Sequence, residues 1–302
     1  MMLWAVVAFL MFGLLPFVYE FLQGDESMAR AQPKTELGER IYRENCAACH
    51  GEKGDGNGPE AQKLKTKPRD FTSGIFKFRS TPSGSLPLDS DLMRTVTRGV
   101  RGTSMLAQLQ LSEEERRSVV QYLETFSPRF KNQKPAKPVS ISSRPHEGKE
   151  IIALGETLYK DAGCVSCHGP KGNGDGSSAE GLKDSWGFPI RPTDLTVKPF
   201  KSGPEPQDLY RTLSTGLDGT PMPSYFNALT PRERWSLVSY ILSIATKEKP
   251  REMMGLVGEE VDGMRIDMRA AMAGMMGGRG MIGRGGGMMN RNMQERKKDM
   301  GR

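Results

Sequence analysis

Residues 1–19 are almost continuously apolar, with no charge before Glu20, about the minimum length for one membrane crossing. Further along, the apolar positions fall into stripes. Over 36–45, Leu37, Ile41 and Tyr42 share one side of a helix, and Ile151, Leu154, Leu158 and Tyr159 repeat the arrangement later. Two capping boxes, Ser112 with Glu115 and Thr230 with Glu233, each open a helix, the second with Pro231 at its first position. The apolar faces of these helices are Val119, Tyr122, Leu123 and Phe126, and Trp235, Val238, Ile241 and Leu242. Short helices are predicted to begin near Asp89 and Gln207 and to stop at Gly99 and Gly216, because glycine readily adopts the conformation that ends a helix. Few strand signals appear, so the expected fold class is all-α with long loops.

The stripes belong to an internal repeat. Leu37-Gly38-Glu39 reappears as Leu154-Gly155-Glu156, Asp91-Leu92-Met93-Arg94-Thr95 as Asp208-Leu209-Tyr210-Arg211-Thr212, and Gly102-Thr103-Ser104-Met105 as Gly219-Thr220-Pro221-Met222, at an offset of 117 residues. Two copies of one domain are therefore expected, over 35–130 and 149–248. Between them, 131–148 holds Pro135, Pro138 and Pro145 among lysines and an arginine and reads as a semi-extended linker. Residues 251–302 carry twelve of the nineteen methionines with much glycine and arginine, which predicts a disordered tail. Its soft thioethers make Cu(I) a ligand worth testing.

The first segment, 1–22, has two readings. A signal peptide would be cut after Ala29-Arg30-Ala31, but Glu20, Asp25 and Glu26 lie between the apolar run and that site. An uncleaved N-terminal transmembrane helix explains the spacing better. Either reading delivers the remainder to the outer side of a bacterial cytoplasmic membrane, in the periplasm.

Composition adds constraints. With 36% hydrophobic residues in a 302-residue chain, two cores are lean, a deficit that a buried macrocycle would fill. The net charge of +7 is spread without a basic face carrying interleaved aromatics, so no nucleic-acid partner is expected.

The four cysteines decide the chemistry. Cys46-Ala47-Ala48-Cys49-His50 and Cys164-Val165-Ser166-Cys167-His168 are both C-x-x-C-H, the spacing at which two thiols reach one haem while the next imidazole turns onto its iron. The competing reading is a single four-cysteine zinc site. It would require the pairs to converge, and it leaves both histidines unexplained. The Gly-rich runs after each motif, 54–58 and 172–176, lack a strand–turn–helix or EF-hand setting and read as loops letting backbone approach the haem edge.

Each repeat resembles a class I cytochrome c domain: a first helix running into C-x-x-C-H, a Gly-rich loop, a late methionine and a last helix. The resemblance implies two covalently bound haem c groups, held by Cys46, Cys49, Cys164 and Cys167. It also implies that the first and last helices cross where Gly38 and Tyr42 face Tyr122, and Gly155 and Tyr159 face Tyr240. Iron ligation by His50 and His168 on one side and by methionine on the other follows from it. Met222, in Thr-Pro-Met-Pro, matches the usual setting, and Met105 aligns with it although Leu106 replaces the proline. Met93 is the nearby rival, but its repeat partner is Tyr210. His146, the third and last histidine, lies in the linker and is read as exposed. Lys67, Arg69, Arg79, Arg191 and Lys201 are candidates to pair with haem propionates or to face solvent.

With both axial positions filled, the expected activity is one-electron transfer between redox protein partners, a donor and an acceptor at the membrane or in the periplasm, and not catalysis. A subunit of a respiratory complex or periplasmic oxidoreductase is one form of this. The alternative is a di-haem peroxidase-like enzyme in which one haem lacks its sixth ligand, with Met105 the weaker candidate.

Overall fold

The computed structural model describes residues 35–146 and 148–248. The apolar segment at 1–22 and the tail at 251–302 lie outside the described residues, and among those described no helix is long and apolar enough to cross a membrane.

Each repeat opens with the helix its apolar spacing predicts. Helix α1 covers 35–45 and runs through Cys46 into α2, Ala47–His50. In the second repeat α6, Lys149–Asp161, leads through Gly163 into α7, Cys164–His168. The middle helices are α3, Asp89–Arg98, and α8, Pro206–Thr215, and they stop at Gly99 and Gly216, both at positive φ. The last helices are α4, Glu113–Glu124, and α9, Pro231–Ile244. Their capping boxes form as predicted. Ser112 Oγ accepts from the Glu115 N–H while the Glu115 carboxylate accepts from the Ser112 N–H at 2.8 Å, and Thr230 and Glu233 repeat the exchange at 3.3 and 2.7 Å. A short helix, α5, Pro128–Asn132, follows α4. Among the described residues, strand structure amounts to a two-residue parallel pair, β1, Val197–Lys198, with β2, Lys247–Glu248.

First and last helices cross tightly in both repeats. A Cβ on Gly38 would lie 2.2 Å from the Ser118 carbonyl oxygen, and one on Gly155 would lie 2.0 Å from that of Ser236. Only a residue without a side chain permits this approach. The tyrosines fill the wedge beside each crossing, with Tyr42 and Tyr122 ring centres 5.5 Å apart and Tyr159 and Tyr240 5.3 Å apart. One hydrophobic cluster gathers around Ile41, Tyr42, Phe71, Val119 and Leu123, and another around Tyr159, Leu209, Trp235, Val238 and Ile241.

The segment after α5 is held in place by both repeats. Val139 is buried and its N–H donates to the Ser80 carbonyl at 2.8 Å, while the Ser142 carbonyl accepts from the Trp235 indole at 3.1 Å. Extended backbone without its own ladder leaves N–H and C=O groups available, and both repeats use them.

Between the repeats, Arg79 is fully buried and donates to the Thr215 carbonyl and to Asp218 Oδ1, both at 2.8 Å. Asp218 also accepts from Ser83 Oγ and the Gly84 N–H. Arg98 approaches Asp208 at 3.5 Å. The expectation that Arg79 pairs with a propionate or faces solvent is corrected: the other repeat takes its guanidinium.

Candidate functional site

Each C-x-x-C-H motif forms one helical turn, which brings the thiols at i and i+3 to one side and the histidine beside them. The four cysteines are unpaired and half-buried. Before a thioether forms, burial pushes the Cys46 thiol up to about 12 and raises Cys49 and Cys164 as well. Among the described residues no three His, Cys, Asp or Glu side chains converge to hold an ion.

The loops after the motifs are tied back to them. Tyr42 Oη donates to the Gly51 carbonyl at 2.7 Å, and Tyr159 Oη to that of Gly169 at 2.8 Å. A Cβ on Gly58 would lie 2.4 Å from the Ala48 carbonyl oxygen, and one on Gly176 would lie 2.3 Å from that of Ser166. These two glycines lie close against the C-x-x-C-H turn.

The two histidines have matching environments. His50 is buried, and its Nδ1 lies 3.1 Å from the Arg69 carbonyl oxygen; His168 is half-buried, with Nδ1 3.0 Å from that of Thr193. Each carbonyl accepts the Nδ1 proton, which leaves Nε2 as the free lone pair, the usual arrangement for a ligating imidazole. Burial lowers both pKa values, against the opposing pull of the carbonyls, so the neutral form that binds a metal is favoured.

The late methionines occupy one loop structure in two copies. Val100 N–H donates to the Met105 carbonyl at 2.9 Å and Leu217 N–H to the Met222 carbonyl at 3.1 Å. Both methionine N–H groups reach the hydroxyl of the preceding threonine, Thr103 or Thr220, at 3.2 Å. The proline missing after Met105 does not change this hydrogen bonding. Met222 packs on the second core together with Cys164. Met105 is half-buried, and Met93 is packed on the first core. His146 is exposed.

Residues 152–245 match the family described as cytochrome c, and residues 33–123 match cytochrome c oxidase, cbb3-type, subunit III. A chain of the reducing HAO-like protein complex of Kuenenia stuttgartiensis is 43% identical, with a TM-score of 0.68, over 69% of this chain and 96% of its own. The chain belongs to the c-type cytochromes. Its two tandem cytochrome c domains carry two covalently bound haem c groups. This cytochrome is also 26% identical, over 225 residues, to the cbb3-type cytochrome c oxidase subunit CcoP of Rubrivivax gelatinosus. The match covers 74% of this chain and 59% of CcoP, so the cytochrome spans about three fifths of that relative's length.

Sequence reasoning missed several residues around the sites. The carbonyls of Arg69 and Thr193 belong to a repeated element, Pro68-Arg69-Asp70-Phe71-Thr72 and Pro192-Thr193-Asp194-Leu195-Thr196. In both copies the aspartate accepts from the threonine N–H and hydroxyl, at 2.8 and 2.6 Å. The offset here is 124 residues, against 118 at Gly58 and Gly176 and 117 at Asp91 and Asp208. The second repeat thus has six extra residues before this element, and the first has seven extra after it. Those additions reach across: the first supplies Ser83 and Gly84 to Asp218, and the second supplies Trp186 to Asp70. Lys77, which the sequence reading did not single out, is partly buried with no hydrogen bond or ion pair among the described residues. Burial, then Arg69 and Lys201, hold its pKa down to about 8, against the opposing pull of the Asp184 carboxylate.

Proposed function

We propose that this cytochrome is a two-haem electron relay, passing single electrons from a donor to an acceptor as a subunit of a respiratory or reductive redox complex. Cys46 and Cys49 hold one haem and Cys164 and Cys167 the other. His50 with Met105, and His168 with Met222, are the axial ligands. The haem supplies an iron that exchanges one electron; the chain's residues orient the ligands, exclude water and leave no coordination position for a substrate. The observation that carries this reading is the duplication of the ligand geometry, with each imidazole anchored by a backbone carbonyl and each methionine on the same threonine-braced loop. Lys77, a desolvated cation beside Arg69 and Lys201, suits a haem carboxylate.

The names of the relatives support a place in a complex, since one is an oxidase subunit and the other a chain of a reducing complex. In this reading 1–22 anchors the chain in the membrane, 35–130 and 149–248 are the haem domains, 131–148 joins them, and both domains stand in the periplasm. Anchoring would raise the effective concentration of membrane partners.

The ferric spectrum tests the ligand set. Both irons should be low-spin, each with the weak sulfur-to-iron charge-transfer band. Met105→Ala should remove the first haem's share of that band and lower its potential, because neutral thioether ligation favours the ferrous state. Met93→Ala should leave the spectrum unchanged. Control of the band by Met93 would overturn the assignment, and a part high-spin unmodified protein that turns over peroxide would favour the peroxidase-like reading.

A further inference from the structure

Trp186 lies in the six residues that the second repeat has and the first lacks, and its surroundings connect the two haem sites. The local chain is braced. Asp184 Oδ1 accepts from the N–H groups of Trp186 and Phe188 at 3.0 and 2.9 Å, and Ile190 N–H donates to the Leu182 carbonyl. The Arg69 guanidinium of the first repeat lies 4.2 Å from the indole centre, and the indole N–H donates to Asp70 Oδ2 at 3.2 Å. Asp70 is itself fixed, because its other oxygen is taken by Thr72. The indole also packs on Gly219, where a Cβ would come within 2.6 Å of the ring, and the neighbouring Ser185 N–H donates to the Gly219 carbonyl at 3.1 Å.

Both contacts end at backbone that positions a ligand. Arg69, under the indole, contributes the carbonyl that accepts from His50. Gly219 begins the Gly-Thr-Pro-Met loop in which Thr220 accepts the Met222 N–H. We propose that Trp186 is a positioning residue that clamps the histidine-side backbone of the first haem to the methionine loop of the second, and so sets both reduction potentials together. This rests on the reading of His50 and Met222 as iron ligands. The physical basis is twofold. The carbonyl bond to Nδ1 tunes the basicity of the imidazole, and removal of the indole that joins the two segments would open the gap between them to water, which favours the more highly charged ferric state. The step served is the passage of one electron from a ferrous to a ferric haem, in which one iron is oxidised and the other reduced, no bond forms or breaks and no proton moves. Trp186 itself is not oxidised.

The test is a spectroelectrochemical titration of the full-length di-haem protein with Trp186→Ala and Trp186→Phe. The alanine variant should lower the reduction equilibrium of both haems by threefold or more, or about 28 mV at 59 mV per tenfold for a one-electron couple. Phenylalanine retains a ring against Gly219 and Arg69 but cannot donate to Asp70. It should restore the second haem to its original potential and leave the first one shifted. An alanine variant in which either haem keeps its potential overturns the clamp. If that variant does not accumulate with two haems, the phenylalanine variant decides alone, and an unshifted first haem refutes the proposal. The ligand reading fails separately: Met222→Ala must abolish the second haem's sulfur band, whatever Trp186 does.

Discussion

The buried Arg79–Asp218 pair gives a stability prediction whose size follows from its surroundings. Asp218 accepts three hydrogen bonds, from Arg79 Nη2 at 2.8 Å, Ser83 Oγ at 2.7 Å and the Gly84 N–H at 2.8 Å. Its side chain is 15% exposed, whereas that of Arg79 is 0% exposed. Replacing Asp218 with alanine lets water reach Ser83 and Gly84, so their loss counts for little. Arg79 has no such relief and keeps the carbonyls of Thr215, Phe76 and Pro82 as acceptors, with the Asp91 carboxylate farther off. Breaking a buried pair by removing one partner costs about 3–5 kcal/mol. The three remaining carbonyl contacts place Asp218→Ala near the lower end, at about 3 kcal/mol. Guanidinium unfolding followed separately at each haem should show both domains losing stability, because the pair joins them. The double replacement Arg79→Met with Asp218→Leu should recover most of the loss, since no unpaired charge then remains buried. A loss below about 1 kcal/mol for Asp218→Ala, or a double variant no better than the single one, would refute the reasoning.

Gly155→Ala should destabilise the second domain by about 1–3 kcal/mol, the usual cost of overpacking, because the new Cβ would meet the Ser236 carbonyl at 2.0 Å; an unchanged thermal midpoint would show that α6 and α9 can separate freely. The Glu124 carboxyl is raised from its ordinary 4.5 to about 7, first by burial and then by Asp89. The folded state therefore holds a proton that the unfolded chain releases, and this group's contribution to stability falls as pH rises from about 4.5 to 7. Glu124→Gln should remove that slope, and the difference in melting temperature between variant and parent should grow over the same window, then level off. A constant difference would contradict the assignment.

The sequence by itself determined the features that are local or duplicated. A helical turn brings residues three and four apart together, so C-x-x-C-H, the capping boxes and the glycine stops had one local outcome whatever the rest of the chain did. The crossings at Gly38 and Gly155 were legible through the resemblance to class I cytochrome c domains, whose small residue and aromatic stand in both copies. What tertiary structure alone decided lies at long separation. The carbonyls that orient His50 and His168 come from 19 and 25 residues away, and any residue has a carbonyl, so no side-chain signal marks them. The use of Arg79 depends on an aspartate 139 residues distant, and that of Trp186 on one 116 residues distant. A repeat comparison conceals such residues, since they lie in the stretches where the copies differ. Two similar domains can face each other specifically only through what they do not share or through partners brought close by folding, and neither is written in local spacing.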